Sequence, residues 1–414
     1  MISEEKIRSC ISDVYSEIIS IRRDIHQHPE LSEHEERTEQ VISTWLTRWG
    51  IPHTTGVAGH GVVGVIQGKA APQPAPKYEA VAIRADIDAL PIQEAVASDF
   101  ASCNPGVMHA CGHDIHTAML LGTAKILKSL ENEFSGAVKL FFQPSEETIG
   151  GANQMIQAGC MQQPNVGAVL GFHVAPACPT GSIQFCRGKM NAATCDLLID
   201  VEGVSCHGAH PEGGVDAIVA ASQIVTALQS IPSRNLAPTD AGIITIGTFH
   251  AGTKANILAG SASLCGTMRA LDPETMAVLK KRSRQISEDI AAGYGATAHV
   301  TQIDGYPALI NSEFLFEQIE SLAEKLVGRE NISYMDAPSL GADDFAFFCQ
   351  ACDSLYMNLG VNSGREEQDQ KLHSEYFNPD ENAMKTGILM EVMGVLTLLD
   401  LPADAKQGKQ QGGN

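Results

Sequence analysis

The stretch MHACGHDIH at residues 108–116 concentrates side chains that can bind a transition metal. It holds three histidines, one cysteine and one aspartate, and imidazole and thiolate are good ligands for borderline metals such as zinc. His109, Cys111 and His113 stand at alternate positions, so an extended backbone would aim several donor atoms at one point. The stretch therefore predicts a metal site. The alternative is a cysteine and histidines scattered in a loop.

A pair of adjacent carboxylates, Glu146 and Glu147, follows an apolar run and the sequence Gln143-Pro144. Adjacent side chains usually point apart, so the two can have different tasks. One can bind a metal, while the other can be the general base that takes a proton from a nucleophilic water. An ordinary acidic loop is the alternative, because Glu-Glu pairs are common.

Two single histidines follow apolar runs in a similar way. His173 comes after the run at 166–172, and His373 lies in a polar loop after the run at 355–359. Both are predicted to lie in short loops that follow strands. A lone histidine is more often structural than a ligand, so neither of them identifies a site by itself.

Further candidates lie between residues 203 and 269. His207 and His210 occupy a glycine-rich turn. Arg269 closes a predicted strand, where a guanidinium can bind a substrate carboxylate through two hydrogen bonds or can be an ordinary solvated charge. Asn256 lies on the loop before that strand.

The apolar runs predict the sheet that would position these residues. Near-continuous apolar strands alternate with amphipathic helices, which is the pattern of a sheet buried on both faces. Ligands of such sheets bind beyond the carboxyl ends of the strands. The candidate residues at those ends are Asp86, Glu146, Glu147, His173 and His373. Their convergence at one edge indicates a site more strongly than any single pair does.

A second domain interrupts this pattern. Predicted elements between residues 194 and 303 follow the order β-α-β-β-α-β, which is typical of a self-contained two-layer α+β unit. The predicted fold class is therefore α/β, with a mixed sheet flanked by helices and an inserted α+β domain. The predicted bounds are 1–189 and 304–405 for the two parts of the catalytic domain, 190–303 for the inserted domain and 406–414 for a disordered tail.

Composition argues against several other classes of protein. The 414 residues carry a net charge of −21, which would be repelled by a nucleic-acid backbone. Residues 1–11 lack the apolar core of a signal peptide, and no run reaches the ~20 apolar residues of a membrane span. The eleven cysteines have no regular spacing, which favours reduced thiols over a disulfide framework. A cytoplasmic enzyme without nucleic-acid or membrane partners is expected.

Several stretches, taken in order, resemble the metal-dependent aminoacylase–carboxypeptidase superfamily. The most similar branch is that of hippurate hydrolases and indole-acetyl-amino-acid hydrolases. The matching stretches are RRDIHQHPELSEHE (22–35), RADIDALPIQE (84–94), MHACGHDIHTAMLLG (108–122), FFQPSEE (141–147), GFHVAP (171–176), HGAHP (207–211), the run from TKANILAG to GTMRALD (253–272), DDFAFF (343–348) and LHSEYFNPDE (372–381). So many matches in one order are specific for the family but not for the substrate.

The resemblance implies a two-metal hydrolase with a zinc-peptidase-like catalytic domain and an inserted dimerisation domain. The implied metal ligands are Cys111, His113, Glu147, His173 and His373. The other implied roles are those of general base (Glu146), carbonyl-polarising residue (His207), substrate-carboxylate ligands (Asn256 and Arg269) and supports behind the metal ligands (Asp86 and His109). In this branch the histidine at the position of His207 often acts from the partner subunit.

Three positions depart from the family pattern. Glu212 stands where a histidine is expected, Asp343 where glutamate is usual and Glu375 where proline is commoner. None of these departures removes an implied metal ligand or the base. Glu212 and Glu375 can alter which substrates fit.

The expected reaction is hydrolysis of the amide bond of an N-acyl amino acid of acetyl, benzoyl or indole-acetyl type. Two divalent ions per subunit are expected, manganese or zinc, with cobalt or nickel also compatible with a mixed N, O and S ligand set. A homodimer or a dimer-based oligomer is expected from the resemblance. The alternatives are a dipeptidase or carboxypeptidase of the same superfamily and a non-catalytic binding protein with a structural metal.

Overall fold

The computed structural model describes residues 2–72, 75–364 and 371–405. The tail predicted to be disordered at 406–414 lies outside these ranges. Within them, no helix is both long and apolar enough to cross a membrane. Contacts divide the chain into two compact units. The first comprises the residues up to Gly188, Asn311–Asp336 and those from Phe347 onward, and the second comprises Lys189–Ile310 and Ala337–Ala346.

The elements are numbered in chain order. The strands are β1 His53–Val57, β2 Gly61–Gln67, β3 Ala80–Asp86, β4 Ala137–Gln143, β5 Val166–Pro179, β6 Ile183–Phe185, β7 Lys189–Asn191, β8 Ala193–Glu202, β9 Gly242–Ala251, β10 Ser261–Ala270, β11 Thr297–Asp304, β12 Leu309–Ile310, β13 Ile332–Tyr334 and β14 Asp353–Asn362. The helices are α1 Glu4–Gln27, α2 Glu36–Arg48, α3 His113–Ser129, α4 Gly151–Gln157, α5 Ala217–Leu228, α6 Ser230–Arg234, α7 Pro273–Gly293, α8 Glu313–Val327, α9 Ala346–Ala351 and α10 Ala383–Leu399.

In the first unit, eight strands form one mixed sheet in the order β1-β2-β4-β3-β5-β14-β6-β13. Its centre is parallel, since β3 pairs in parallel with β4 and β5, and β5 pairs in parallel with β14. Every residue of β3 and β4 is buried, as expected for strands that are covered on both faces. The predicted α/β class, with a mixed sheet flanked by helices, is confirmed.

Helix α3 fixes the 108–116 cluster within the core of the first unit. It begins at His113, and most of its residues are buried because it packs against α1, α10 and β3. The helix α10 is likewise apolar on nearly all sides, which suits a helix enclosed by other elements. The first turn of α3, with its histidines, is therefore held by packing along the rest of the helix.

The second unit has a four-stranded antiparallel sheet in the order β11-β8-β10-β9. Along the chain, β8, α5, β9, β10, α7 and β11 give the predicted β-α-β-β-α-β order, with the short α6 directly after α5. The helix α7 begins where the side chain of Asp272 accepts a hydrogen bond from the Thr275 N–H at 2.7 Å, which is a normal N-cap. The unit continues to Ile310, past the predicted bound of 303, because β12 pairs with β7.

Candidate active site

The central strands of the first unit lead to residues that the sequence singles out. β3 ends at Asp86, and Glu146 and Glu147 follow the end of β4 after a turn. The prediction of a loop at His173 is wrong, because this residue lies inside β5. β14 pairs alongside it, with Asn358 opposite His173, and the pairing prolongs β5 past the histidine.

Gly112 separates Cys111 from His113 and is required to be glycine. Its φ is 83°, in the left-handed region that other residues rarely adopt. A Cβ at this position would lie 2.5 Å from Cγ2 of Val174 on β5, a distance that atoms cannot tolerate. Gly112 ends the loop, and α3 begins at the next residue. The backbone of Gly112 therefore fixes the positions of Cys111 and His113 relative to each other.

The five predicted metal ligands lie together in this unit. The ligand atoms of Cys111, His113 and His173 are within 4.8 Å of one another, and so are those of Cys111, Glu147 and His373. Cys111 Sγ lies 3.4 Å from His173 Nε2, and Glu147 Oε1 lies 3.3 Å from His373 Nε2. Because Cys111 belongs to both sets, the two sets adjoin each other, as the ligands of two neighbouring ions must.

Glu146 belongs to a third set of this kind. Its carboxylate has an oxygen within 4.8 Å of ligand atoms of both Glu147 and His113. The Glu146 side chain is nevertheless buried, with 8% of its surface exposed. A carboxylate is therefore placed next to the metal-type ligands and is largely shielded from bulk water.

Two buried atoms of the cluster indicate that its residues fit a metal. His113 Nε2 and Glu147 Oε1 are buried, and neither makes a hydrogen bond among the described residues; Glu147 Oε1 has only its ion pair with His373 at 3.3 Å. Buried polar atoms are normally hydrogen-bonded. His113 Nδ1 donates to the carbonyl of Asp88 at 2.9 Å, which leaves Nε2 of a neutral ring as a metal-binding lone pair. Thiol, imidazole and carboxylate together suit divalent ions such as zinc or manganese.

The electrostatics of the cluster also suit a cation. Burial raises the pKa of the Cys111 thiol well above its ordinary value. Burial alone lowers the pKa of His113, but the charge of Asp86 and the hydrogen bond to Asp88 raise it well above its usual value. Both groups thus hold protons when no cation is bound. A metal ion would displace those protons, because thiolate and neutral imidazole are the forms that bind it.

Comparison with known proteins agrees with this geometry. The model of peptidase family M20/M25/M40 matches residues 82–393, which is most of the chain. The protein belongs to peptidase family M20/M25/M40. The resemblance to the metal-dependent aminoacylase–carboxypeptidase superfamily is thereby confirmed.

The relatives of this M20 hydrolase include amide-cleaving enzymes. It is 34% identical over 406 residues to the N-acetyl-L-cysteine deacetylase of Bacillus subtilis, covering 98% of its own chain and 94% of that protein. It is 34% identical over 397 residues to the IAA-amino acid hydrolase ILR1-like 4 of Arabidopsis thaliana, covering 95% and 88%. The solved structure of the YxeP protein of Bacillus subtilis, described as a dinuclear metal-binding M20 peptidase, matches with a TM-score of 0.80 and 31% identity, covering 94% and 99%.

Behind the predicted metal ligands, Asp86 and His116 form a buried pair. Asp86 Oδ1 lies 2.6 Å from His116 Nδ1, and His116 Nε2 accepts the N–H of Val174 at 3.0 Å. Burial opposes the charge of Asp86, but Arg84, His113 and His116 keep its pKa well below its usual value. Asp86 thus fixes β5 next to His173 through His116. The sequence signal that could have predicted a role for His116 is its three-residue spacing from His113, which puts both histidines on one face of the helix.

Asp88 holds two of the predicted ligands, and sequence reasoning missed it. His113 Nδ1 lies 3.1 Å from Asp88 Oδ1, in addition to its bond with the Asp88 carbonyl. Asp88 Oδ2 accepts the Glu147 N–H at 3.0 Å and the Ser32 hydroxyl at 2.7 Å. One carboxylate therefore joins the helix that carries His113 to the loop that carries Glu147. The alternation of Asp86 and Asp88 at the strand end was the sequence signal.

His109 is buried in a different environment. Neither of its ring nitrogens has a hydrogen-bond partner among the described residues, and burial lowers its pKa to about 4, so the ring is neutral near pH 7. It lies beside the ring of His26, with 6.4 Å between the centroids, and His26 in turn bonds Asp114 at 2.7 Å. The supporting role implied for His109 stays a prediction.

The other three predicted residues belong to the second unit. His207 is exposed, and its Nδ1 accepts the Ala209 N–H at 3.1 Å, so the proton of the neutral ring is on Nε2. A backbone hydrogen bond of 2.9 Å joins this turn to the carbonyl of Asn256. Arg269 lies on β10, where one guanidinium nitrogen donates to the Leu340 carbonyl at 3.1 Å. Their roles toward a substrate stay predictions.

Proposed function

We propose that this M20 hydrolase cleaves the amide bond of N-acyl amino acids and releases a free amino acid and a carboxylic acid. The main support for this proposal is that the Glu146 carboxylate lies beside a cluster of metal-type ligands. Within that cluster, His113 Nε2 and Glu147 Oε1 make no hydrogen bond among the described residues. Two relatives are named for acting on N-acetyl-L-cysteine and on IAA-amino acids, which supports an acyl-amino-acid substrate.

The proposed mechanism assigns separate tasks to the two adjacent carboxylates. Two divalent ions, zinc or manganese with cobalt or nickel as further candidates, would be held by Cys111, His113, Glu147, His173 and His373. Ions of this kind lower the pKa of a water and polarise a carbonyl. Glu146 takes the proton of the attacking water and passes it to the departing amine. Since Glu146 is buried, bulk solvent has little access to that proton during the transfer.

Residues of the second unit are proposed to recognise the substrate. The proton on Nε2 of His207 makes this ring a donor to the developing oxyanion. Arg269 uses one nitrogen for the Leu340 carbonyl and has further N–H groups for a substrate carboxylate. The side-chain amide of Asn256 adds another donor. This set favours a substrate that has a free carboxylate next to the amide.

A homodimer is proposed to form through the second unit. The strand β9 lies at the edge of the sheet and pairs with β10 on one side. Ile243 and Phe249 of β9 and Ile218 and Val219 of α5 each have about two fifths of their surface exposed. An edge strand with exposed apolar side chains nearby is typical of an interface between chains. We propose that His207 acts on the catalytic unit of the partner chain.

Mixing two inactive variants tests that last proposal. His207→Ala lacks the donor and Glu146→Ala lacks the base, so a mixed dimer keeps one complete site if the two residues come from different chains. Random exchange gives half of the dimers as mixed dimers with one intact site of two, so activity should return to about a quarter of the wild-type level. The measurement is hydrolysis after subunit exchange has been verified. If activity stays at the level of the separate variants, His207 acts within its own chain.

Arg269→Ala tests the recognition of the substrate carboxylate. A hydrogen bond between charged groups contributes about 1.5–3 kcal/mol, so kcat/KM should fall about 10- to 100-fold for an N-acyl amino acid. It should change little for the methyl ester of the same substrate. Arg284→Ala, at an exposed arginine of α7 that pairs with Glu288, is the matched control. An equal loss on acid and ester would contradict the assignment.

The reaction itself is tested with a panel of substrates. The panel contains N-acetyl, N-benzoyl and indole-acetyl amino acids together with dipeptides, in manganese or in zinc, and a chelated control. Metal-dependent release of amino acids from the acyl substrates supports the proposal. Preference for dipeptides would instead favour a dipeptidase or carboxypeptidase. A metal-loaded protein that releases nothing from any substrate would overturn the proposal in favour of a binding protein.

A further inference from the structure

The motif at 22–35 has no task in the proposed mechanism, although its last residues lie against the carboxylate pair. The segment 30–35 joins α1 to α2. Leu31 forms a parallel bridge with Ala89 just beyond β3, and the Ala89 N–H donates to the Glu30 carbonyl at 2.8 Å. The segment therefore runs along the strand ends at which the candidate active site is built.

Glu35 reaches from this segment to the residue before the carboxylate pair. Its side chain is fully buried, with 0% of its surface exposed. Glu35 Oε1 accepts the backbone N–H of Ser145 at 2.8 Å and the Ser145 hydroxyl at 3.3 Å. The Ser145 oxygen in turn accepts the N–H of Glu33 at 3.0 Å. The backbone N–H and the hydroxyl of Ser145 are thus both bound by residues 33–35.

Ser145 has an unusual backbone conformation. Its φ is 57°, in the left-handed region that is unfavourable for a residue with a side chain and that persists when the surroundings enforce it. The following turn is equally constrained, because a Cβ on Gly151 would lie 1.9 Å from the Pro144 carbonyl oxygen. This backbone geometry turns the chain directly before Glu146 and Glu147.

The same segment also supports the residue on the other side of Glu146. Ser32 donates to Asp88 Oδ2, and that oxygen accepts the Glu147 N–H. The backbone N–H groups of Ser145 and Glu147, which flank Glu146, are therefore both fixed by the 30–35 segment, one directly and the other through Asp88.

We propose that Glu35 is a positioning residue that holds Ser145 in its left-handed conformation and so sets the directions of Glu146 and Glu147. This inference rests on the proposed function, in which those two carboxylates have different tasks. Glu35 forms two hydrogen bonds with Ser145, the residue directly before the pair. Its position at the start of α2 would allow it to cap that helix, but it makes no such bond. The side chain is instead directed at Ser145.

The test compares substitutions of Glu35 with the same change at a matched glutamate. Glu35→Leu removes the acceptor and should lower kcat about 10- to 100-fold, the range for residues that orient metal ligands, with KM changed less than kcat. Glu35→Gln keeps an acceptor oxygen and should stay within a few-fold of wild type. Adding Ser145→Gly to Glu35→Leu should restore part of kcat, because glycine adopts a φ near 57° without steric cost.

The matched control is Glu391, which is 2% exposed in α10 and bonds the Thr123 hydroxyl. Glu391→Leu also removes a buried carboxyl group and should leave kcat unchanged. An equal loss of kcat at Glu391→Leu, or a wild-type kcat for Glu35→Leu, would overturn the inference. If Glu35→Leu does not fold, Ser145→Ala replaces it. That variant loses the hydroxyl contacts and should reduce kcat several-fold, and an unchanged kcat would count against the inference.

Metal binding separates this inference from the proposed function. Competition with a chelator measures the affinity of each variant for manganese or zinc without any substrate, and Glu35→Leu should bind about 10-fold more weakly than wild type. If the wild-type protein hydrolyses nothing but the affinity falls, the proposed function fails while the positioning role stands. If the wild type is active and neither affinity nor kcat changes in Glu35→Leu, the positioning role fails alone.

Discussion

Glu146→Gln is expected to lower kcat for amide hydrolysis by about 100- to 10,000-fold, which is the contribution of a well-placed general base. Glutamine has nearly the same shape as glutamate, so the packing around this buried side chain should be preserved. Its amide cannot accept the proton of an attacking water, so it cannot pass that proton to the departing amine. The loss should therefore fall on kcat more than on KM.

Three measurements distinguish the loss of the general base from the loss of metal binding or of the folded structure. Steady-state kinetics give kcat and KM, the metal content gives the occupancy, and thermal unfolding gives the stability. Glu146→Gln should match wild type in the last two. Glu288→Gln, at an exposed glutamate of α7 in the second unit, is a control for the chemical change. A variant of Glu146 that keeps more than about a tenth of wild-type kcat would remove this residue from the role of base.

Removal of the metal should reduce hydrolysis to background and lower the thermal stability of the protein. His113 Nε2 and Glu147 Oε1 make no hydrogen bond among the described residues, and a cation would coordinate both atoms. An ion present at 1,000 times its dissociation constant stabilises the folded protein by about 4 kcal/mol. Activity and melting temperature should therefore fall together on chelation, and both should return when manganese or zinc is restored.

Histidine variants connect this stabilisation to the predicted site. His113→Ala should abolish the increase in melting temperature on addition of metal, because it removes a ligand and the bond to Asp88. His299→Ala, at an exposed histidine on β11, should respond to metal as wild type does. Thermal unfolding with and without metal is the measurement. If His113→Ala were stabilised as strongly as wild type, the ion would be bound elsewhere.

The local pattern of the sequence was sufficient to predict which strand ends carry most of the predicted ligands. The strand that ends at Asp86 and the strand that precedes Glu146 are continuous apolar runs. Such runs predict buried strands well, because a strand covered on both faces needs apolar side chains at nearly every position. The order of elements in the inserted unit was equally readable, since its helices and strands have different hydrophobic periods. These features can be predicted because they depend on residues that are close together in the sequence.

The wrong prediction of a loop at His173 has a different cause. β5 extends past this residue because β14 pairs with it there, and β14 is distant in the sequence. The role of Asp88 depends in the same way on tertiary structure, since only the folded chain brings it to both His113 Nδ1 and the Glu147 N–H. Periodicity gives no account of contacts of this kind, and the left-handed conformation of Ser145 likewise has no local sequence cause.

The place of β14 in the sheet has a consequence for how the molecule is made. The strand lies between β5 and β6, yet the ribosome synthesises it only after the whole of the second unit. Until then one edge of β5 has no neighbour, and an exposed strand edge invites wrong partners during folding. His373 is made later still, so a nascent chain can offer an ion only the ligands that end at His173. The complete set of predicted ligands thus becomes available only after nearly the whole chain has been synthesised.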